Sequence, residues 1–233
     1  RYGYSPIFDP PKVIRPLLPL GNTMTTKLNS DLRPIAQGLY DPRNEHDACG
    51  VGFVAHIKGK KSHEIVSQGL KILENLDHRG AVGADPLMGD GAGILICIPD
   101  AFYREIVDFK LPEFGKYATG ILFIDKSFSD RAGIEAIAKE EGLQILGWRD
   151  LPVDAKSIGK TALSVMPKFE QIFVSGAKGE FDLDLERLAF CFRKRIEHRF
   201  PLYVPSLSVR TIVYKGMLTT GQLEEFFPDL SDV

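Results

Sequence analysis

Cys49 is the residue whose surroundings best suit nucleophilic chemistry. A polar segment, residues 44–48, precedes this cysteine, and Gly50 and Gly52 leave little side-chain bulk after it. A thiolate is a strong nucleophile, but a thiol with a pKa of about 8.5 needs a base or a positive charge nearby to reach that form. The spacing alone leaves the ordinary alternative open, because free cysteines usually serve as small packing residues.

The other cysteines and the histidines indicate packing rather than chemistry. Cys97 and Cys191 lie within apolar runs, so both are predicted to be buried as small hydrophobic residues. No histidine or cysteine pair has the spacing of a zinc site, so no metal centre is predicted. The five histidines are scattered: His46, His56, His63, His78 and His198.

A glycine-rich stretch, Gly89-Asp-Gly-Ala-Gly93, invites comparison with a dinucleotide-binding loop. Such a loop follows a strand and opens a helix, whose amide groups then meet the pyrophosphate. Here a predicted helix comes before the glycines and an apolar strand follows them, which is the reverse order. We therefore interpret the stretch as a tightly folded loop, in which glycines permit positive φ and close backbone contact.

The elements that must position these residues can be predicted from hydrophobic periodicity. Ser62 is placed to cap a helix that runs to about Asp77, directly before His78-Arg-Gly80. Helices and strands are mixed without strict alternation, which favours an α+β fold over a doubly wound sheet. Further helices are predicted at 100–108, 129–141, 182–197 and from Thr219 or Thr220. Strands are predicted at 49–56, 93–98, 118–124, 143–149, 169–174, 202–208 and 210–215.

Composition excludes several classes of protein. The 233 residues are 44% hydrophobic and 26% charged, with a formal net charge of -2, so no strong field exists to hold nucleic acid. No apolar run reaches the length of a membrane span, of about 20 residues. Three cysteines are too few for a disulfide framework, which favours the reducing cytoplasm. Five prolines within residues 1–23 predict an extended arm rather than a folded element.

Four ordered motifs carry a resemblance to a known family. Cys49-Gly-Val-Gly-Phe and the stretch ending in Asp77-His-Arg-Gly80 resemble the opening of the class II glutamine amidotransferases, which are N-terminal nucleophile hydrolases. His78 to Asp85 with Gly89 to Gly93, together with the stretches 166–173 and 206–217, is similar to the amidotransferase domain of the glutamate synthase large subunit. The resemblance runs from about residue 38 to residue 230.

The resemblance implies a fold, an activity and two site residues. The implied fold is the α/β/β/α sandwich of N-terminal nucleophile hydrolases. Cys49 would attack the side-chain amide of glutamine, with its own α-amino group as the base, and this requires cleavage between Ala48 and Cys49. Residues 1–48 would then be an arm and propeptide, and residues 49–233 a partial amidotransferase domain. Arg79 matches the family's arginine near the nucleophile and would bind substrate or organise the site.

The resemblance also implies what lies beyond this segment. Ammonia from glutamine would pass to synthase domains of the same full-length chain, where 2-oxoglutarate becomes glutamate. No cofactor is expected in this segment, whereas FMN and an iron–sulfur cluster are implied for the full-length enzyme. The implied partners are glutamine, those synthase domains, and a reductase subunit or ferredoxin, with no nucleic acid and no membrane.

One departure from the family pattern affects the expected activity. The family's oxyanion-hole Asn-Gly and its later substrate-holding motifs fall after the 206–217 stretch, and no Asn-Gly occurs in these 233 residues. Because these motifs are missing here, we expect the fold to be incomplete at the C-terminus. Loss of one oxyanion donor lowers turnover by about 10²–10³-fold, so we also expect this polypeptide to be inactive alone. Two alternatives remain open, a free-standing amidotransferase subunit and a non-catalytic unprocessed precursor domain.

Overall fold

The computed structural model describes residues 50–79 and 85–233, and within them helices and antiparallel strands are mixed. The helices are α1 (His63–Asn75), α2 (Asp100–Ile106), α3 (Arg131–Glu140), α4 (Lys160–Val165), α5 (Asp182–Arg199) and α6 (Gln222–Phe226). The strands are β1 (Ala92–Cys97), β2 (Ala118–Ile124), β3 (Leu143–Asp150), β4 (Lys168–Gly176), β5 (Leu202–Tyr203) and β6 (Thr211–Gly216). Short 3₁₀ turns cover Asp77–Arg79, Ala155–Ser157 and Pro228–Ser231.

The strands form two antiparallel sheets. The larger sheet has the order β3-β4-β2-β5, and the smaller sheet pairs β1 with β6. In the smaller sheet Ala92 lies opposite Gly216, and Cys97 lies opposite Thr211. Antiparallel sheets combined with helices that do not alternate strictly with the strands confirm the predicted α+β class.

The larger sheet is buried on both faces, and the alternation of side chains along each strand decides which core a residue enters. Ile121 and Phe173 belong to the core shared with α2, α6 and β6. Leu122 and Ile172, their neighbours in sequence, belong to the core beneath α3 and α5. A sheet packed on both faces forms the rigid layer on which the smaller sheet and its loops are held.

The strand predicted at 49–56 is wrong over the residues that the structure describes. Residues 50–56 form no strand, and Val51 and Phe53 are 88% and 89% exposed. A strand needs hydrogen bonds to a neighbouring strand, and none of the described residues pairs with this stretch. Its apolar composition is therefore not sufficient to form a strand by itself.

The predicted burial of the two later cysteines is also wrong, since Cys97 and Cys191 are both exposed. Along β1 the side chain of Ile96 enters the core, so Cys97 points to the opposite face. On α5 the buried positions include Ala189 and Phe192, which leaves Cys191 on the outer side of the helix. An apolar run of sequence does not show which face a residue takes.

Two smaller differences concern element lengths. The strand predicted at 202–208 is present only as Leu202–Tyr203, and Ser208 makes an isolated bridge to Thr119 instead. The short helix α4 was not predicted from the sequence. It begins after Gly159 and buries a single residue, Ala162, so it has little of the amphipathic pattern that identifies longer helices.

A buried ion pair fastens the end of the described chain to both sheets. Arg149 on β3 donates two hydrogen bonds of 2.7 Å to the Asp229 carboxylate, and the Tyr214 hydroxyl on β6 donates a third at 3.1 Å. The Asp229 side chain is 3% exposed and that of Arg149 is 15% exposed. Burial lowers the pKa of Arg149, but hydrogen bonding and attraction to Asp229 outweigh this effect and raise it above its usual value.

Replacement of Asp229 by alanine is expected to lower the free energy of unfolding by about 3–5 kcal/mol, because it leaves the Arg149 guanidinium buried without its counter-charge. Urea denaturation at neutral pH measures the change. Asp232→Ala is the matched control, since Asp232 is an exposed aspartate in the same terminal segment. A loss below about 1 kcal/mol for Asp229→Ala, comparable with a surface pair, would contradict the structural role given to this ion pair.

Candidate functional site

The structure describes part of the predicted site. Cys49 lies outside the described residues. Arg79 is the last residue of the 3₁₀ turn Asp77–Arg79, which follows α1 directly. The described segments next to these two positions in sequence are the chain after Cys49, the helix α1 and the glycine-rich loop.

The chain that follows Cys49 runs along the C-terminal half of α1. A side chain at Gly50 would place its Cβ 3.2 Å from Leu76 Cδ2, and one at Gly52 would overlap Ile72 Cγ2. Glycine at both positions therefore lets the extended chain lie directly against the helix. Gly50 thus lies against Leu76, which precedes Arg79 by three residues.

Helix α1 is held in place by one apolar face. Leu70 is buried, and Val66 and Leu73 pack against the same core at helical spacing. Gly69 allows close contact with the smaller sheet, since a Cβ at this position would lie 3.1 Å from Ile94 Cδ1. These residues therefore pack α1 against β1. This packing determines where the C-terminal end of α1 and the turn that ends in Arg79 lie.

The glycine-rich loop is a tightly folded connection, as predicted from its glycines. Gly91 has a φ of +138°, which disfavours any other residue. A Cβ at Gly89 would overlap the Leu218 carbonyl oxygen and lie 2.6 Å from the Thr219 amide nitrogen. A Cβ at Gly93 would lie 2.8 Å from Lys215 Cβ. These glycines therefore let the loop pack against β6 and the chain after it, and β1 rather than a helix follows.

An open groove of about 500 Å³ lies beside this loop, on the outward face of β1 and β6. Leu95 and Met217 line it and are more than half exposed. Asp90 and Lys215 are the charged residues among those that line it. The Lys215 ammonium lies 3.4 Å from the Tyr203 hydroxyl, to which it donates. The groove has an apolar floor with one charge of each sign and no cluster of titratable groups.

Among the described histidines, His56 and His63 make hydrogen bonds to the backbone. The His56 ring nitrogen accepts from the amides of Lys58 and Lys60, each at 3.3 Å, and a His63 ring nitrogen lies 2.5 Å from a Val233 oxygen. Within residues 50–79 and 85–233, no group of three or more histidine, cysteine, aspartate or glutamate side chains is placed to hold a metal ion. None of the helices formed by these residues is long and apolar enough to cross a membrane.

Comparison with known proteins decides the family. The model of the family described as "Glutamine amidotransferases class-II" matches residues 49–233, beginning at Cys49 itself. The chain belongs to the class II glutamine amidotransferases. The mixed arrangement of helices and sheets in this amidotransferase domain is consistent with the N-terminal nucleophile hydrolase fold that the resemblance implied.

Curated relatives of this amidotransferase domain are glutamate synthases. It is 46% identical over 210 residues to the protein named glutamate synthase [NADPH] large chain of Bacillus subtilis, covering 85% of this chain and 14% of the relative. It is 38% identical to the protein of the same name in Azospirillum brasilense, covering 90% of this chain and 15% of the relative. It is 39% identical to the chloroplastic ferredoxin-dependent glutamate synthase 2 of Arabidopsis thaliana, covering 87% and 13%. The chain therefore spans about one seventh of the length of these relatives.

Sequence reasoning missed the residues that join the site segments to one another. The Thr220 hydroxyl donates to Asp77, and the Gln222 side chain donates to the Leu87 carbonyl. These partners are 143 and 135 residues apart in sequence. No local pattern signals such contacts, because threonine and glutamine near a helix start are common for reasons of capping alone.

Gly89→Ala is expected to lower the free energy of unfolding by about 1–3 kcal/mol, because the added methyl group overlaps the backbone at Leu218 and Thr219. Differential scanning calorimetry measures the change as a fall of several degrees in Tm. Gly221→Ala is the matched control, since a Cβ there meets no atom within 4 Å among the described residues. Equal Tm values for the two variants would refute the close packing of the loop.

Proposed function

We propose that this chain hydrolyses the side-chain amide of glutamine and supplies the ammonia for glutamate synthesis in a glutamate synthase. The observation that carries the proposal is that the family match begins at Cys49, the residue whose type and surroundings suit a nucleophile. The names of the relatives support the second half of the proposal, since the proteins are named as glutamate synthases, with NADPH or with ferredoxin in the name.

The proposed reaction has two covalent steps. The Cys49 thiolate attacks the side-chain amide carbon of glutamine, the carbon–nitrogen bond breaks, and ammonia leaves as a glutamyl thioester forms. Water then attacks the thioester carbonyl, which releases glutamate and regenerates the thiol. An α-amino group with a pKa of about 7.7–8.0 is well suited to take the thiol proton and to give it to the leaving nitrogen.

This base exists only if Cys49 is the first residue of the chain. A peptide nitrogen is not basic, so the proposal requires cleavage between Ala48 and Cys49. Residues 1–48 then act as a propeptide, and residues 49–233 belong to the catalytic domain. The match of the family model supports this division, because it covers residues 49–233 and begins at Cys49.

Arg79 is proposed to organise the glutamine site. Gly50 lies against Leu76, and the 3₁₀ turn that ends in Arg79 follows Leu76 directly. The segment after the nucleophile and the segment that carries the arginine therefore meet at the same end of α1. A guanidinium group at this end suits the carboxylate of an amino acid substrate, because it can form two parallel hydrogen bonds to it.

The remaining chemistry of glutamate synthesis is assigned to other parts of the full-length enzyme. An iron–sulfur cluster needs several thiolates that converge on it, whereas Cys97 on β1 and Cys191 on α5 are exposed on different elements and belong to no group of potential metal ligands among the described residues. The segment therefore does not fit the cluster, and we place FMN and the cluster with the synthase domains. We propose these synthase domains, together with a reductase subunit or ferredoxin, as the partners of the amidotransferase domain. We also propose that the enzyme is cytoplasmic.

Cys49→Ala in the complete large chain is expected to reduce glutamine-dependent glutamate formation by at least about 10⁴-fold, because no thioester can form. The rate of ammonia-dependent glutamate formation at high ammonium concentration is expected to stay within about twofold of wild type. Both the glutamine-dependent and the ammonia-dependent rate are measured as the rate at which the reductant is oxidised. Cys97→Ala and Cys191→Ala are matched controls, since both cysteines are exposed. Full glutamine-dependent activity in Cys49→Ala would refute the nucleophile assignment.

The active protein is expected to start at Cys49, and intact-mass spectrometry with N-terminal peptide mapping measures this directly. Protein that retains residues 1–48 should lack glutaminase activity, because its residue 49 has no free amine. Active protein with an intact Ala48–Cys49 bond would rule out the proposed base. It would not affect the assignment of the nucleophile, which the cysteine variants test separately.

A further inference from the structure

The connection between β6 and α6, residues 217–221, and the first residue of α6, Gln222, contact two segments that flank residues 80–84 in sequence. The first segment is the 3₁₀ turn Asp77–Arg79, and the second is the chain that leads into the glycine-rich loop, from Leu87 to Gly89. The connection holds each of these two segments by a separate set of contacts.

The first contact reaches the turn that carries Arg79. The Thr220 hydroxyl donates a hydrogen bond of 2.7 Å to Asp77 Oδ1. Asp77 is the first residue of the 3₁₀ turn, two positions before Arg79. The bond lies at the exposed surface, so its contribution to the stability of the whole fold is small, whereas its effect on the position of a three-residue turn is direct.

The second set of contacts reaches the other segment. The buried Gln222 side chain donates to the Leu87 carbonyl at 3.2 Å and to the Ser157 carbonyl at 2.7 Å, and it accepts from the Thr219 amide at 2.9 Å. Both hydrogens of its amide group are therefore used, and the connection is anchored to the body of the protein.

The backbone of the connection also covers the glycine loop. Gly89 lies so close to Leu218 and Thr219 that no side chain fits between them. The connection therefore cannot shift away from the loop without loss of packing there. The connection is fixed to the rest of the domain through Gln222, and the Thr220 hydroxyl donates a hydrogen bond to Asp77. Thr220 therefore links the turn to the rest of the domain.

We infer that Thr220 is a positioning residue of the amidotransferase site, whose hydroxyl holds Asp77 and thereby fixes the turn to which Arg79 belongs. This inference rests on the proposed function, since it assigns Thr220 a role in the site that Arg79 organises. Thr220 acts through Asp77 and has no contact with the reacting atoms in this account.

Thr220→Val in the complete large chain keeps the shape of the side chain and removes the donor. The KM for glutamine is expected to rise about three- to tenfold, the effect of one net hydrogen bond. The kcat of glutamine hydrolysis and the ammonia-dependent rate are expected to stay within about twofold of wild type, because the nucleophile is untouched. Thr220→Ser, which retains the hydroxyl, should restore the wild-type KM.

Two comparisons separate positioning from a general loss of stability. In an Asp77→Ala background, Thr220→Val should raise KM no further, because the bond is already broken. Amide hydrogen exchange at residues 77–79 should become faster in Thr220→Val, with Tm unchanged within about 1 °C. Thr161→Val is the matched control, an exposed threonine on α4 that should change neither KM nor exchange at the turn.

The outcomes distinguish failure of the role of Thr220 from failure of the proposed function. An unchanged KM and unchanged exchange at residues 77–79, in an enzyme whose glutaminase activity depends on Cys49, overturn the role of Thr220 and leave the proposed function standing. A large fall in Tm with equal losses in kcat and in ammonia-dependent activity shows a structural role and also overturns it. A wild-type enzyme without Cys49-dependent glutaminase activity refutes the proposed function and the positioning role together.

Discussion

The arrangement of this domain depends on the close packing of the glycine loop against the chain that follows β6. Gly89 lies where any side chain would overlap the backbone at Leu218 and Thr219. This contact joins the chain before β1 to the chain after β6 and so supports the smaller sheet at the end where Ala92 pairs with Gly216. Helix α1 docks on the same sheet, and the turn with Arg79 follows α1. The position of the described segments around the candidate site therefore depends on close backbone packing at Gly89, where a substitution that adds bulk is destabilising.

A second constraint holds the smaller sheet to the larger one. The ion pair of Arg149 and Asp229, with the Tyr214 hydroxyl as a further donor, links β3, β6 and the last described turn. Burial raises the pKa of Tyr214 well above its usual value, and the nearby Tyr103 and Asp229 add to the effect, so the hydroxyl stays protonated as a donor. Charged partners in such a site are satisfied mainly by one another, because Asp229 is buried and Arg149 is mostly shielded from water.

Local features of the fold could be predicted from the sequence, whereas contacts between distant segments could not. The helix α3 follows Asp130, whose side chain caps it by accepting from the Gly133 amide, and a capping residue is a signal within a few positions. The apolar stretch after Cys49 carries an equally clear local signal, yet residues 50–56 form no strand, since pairing depends on a partner that composition does not reveal. For the site, the motifs predicted the family, which the comparison confirms, and they gave Cys49 and Arg79 as the candidate residues. The hydrogen bond between Thr220 and Asp77 had no sequence signal, because it joins residues that only the fold brings together.

Labelling of the nucleophile tests the central claim most directly. The complete enzyme is treated with an electrophilic diazoketone analogue of glutamine, and the modified peptide is identified by mass spectrometry. The account predicts one adduct per chain, on the sulfur of Cys49 at a free N-terminus, which glutamine prevents and which leaves Cys97 and Cys191 unmodified. Modification at either exposed cysteine instead, or an adduct that glutamine does not suppress, would contradict the account.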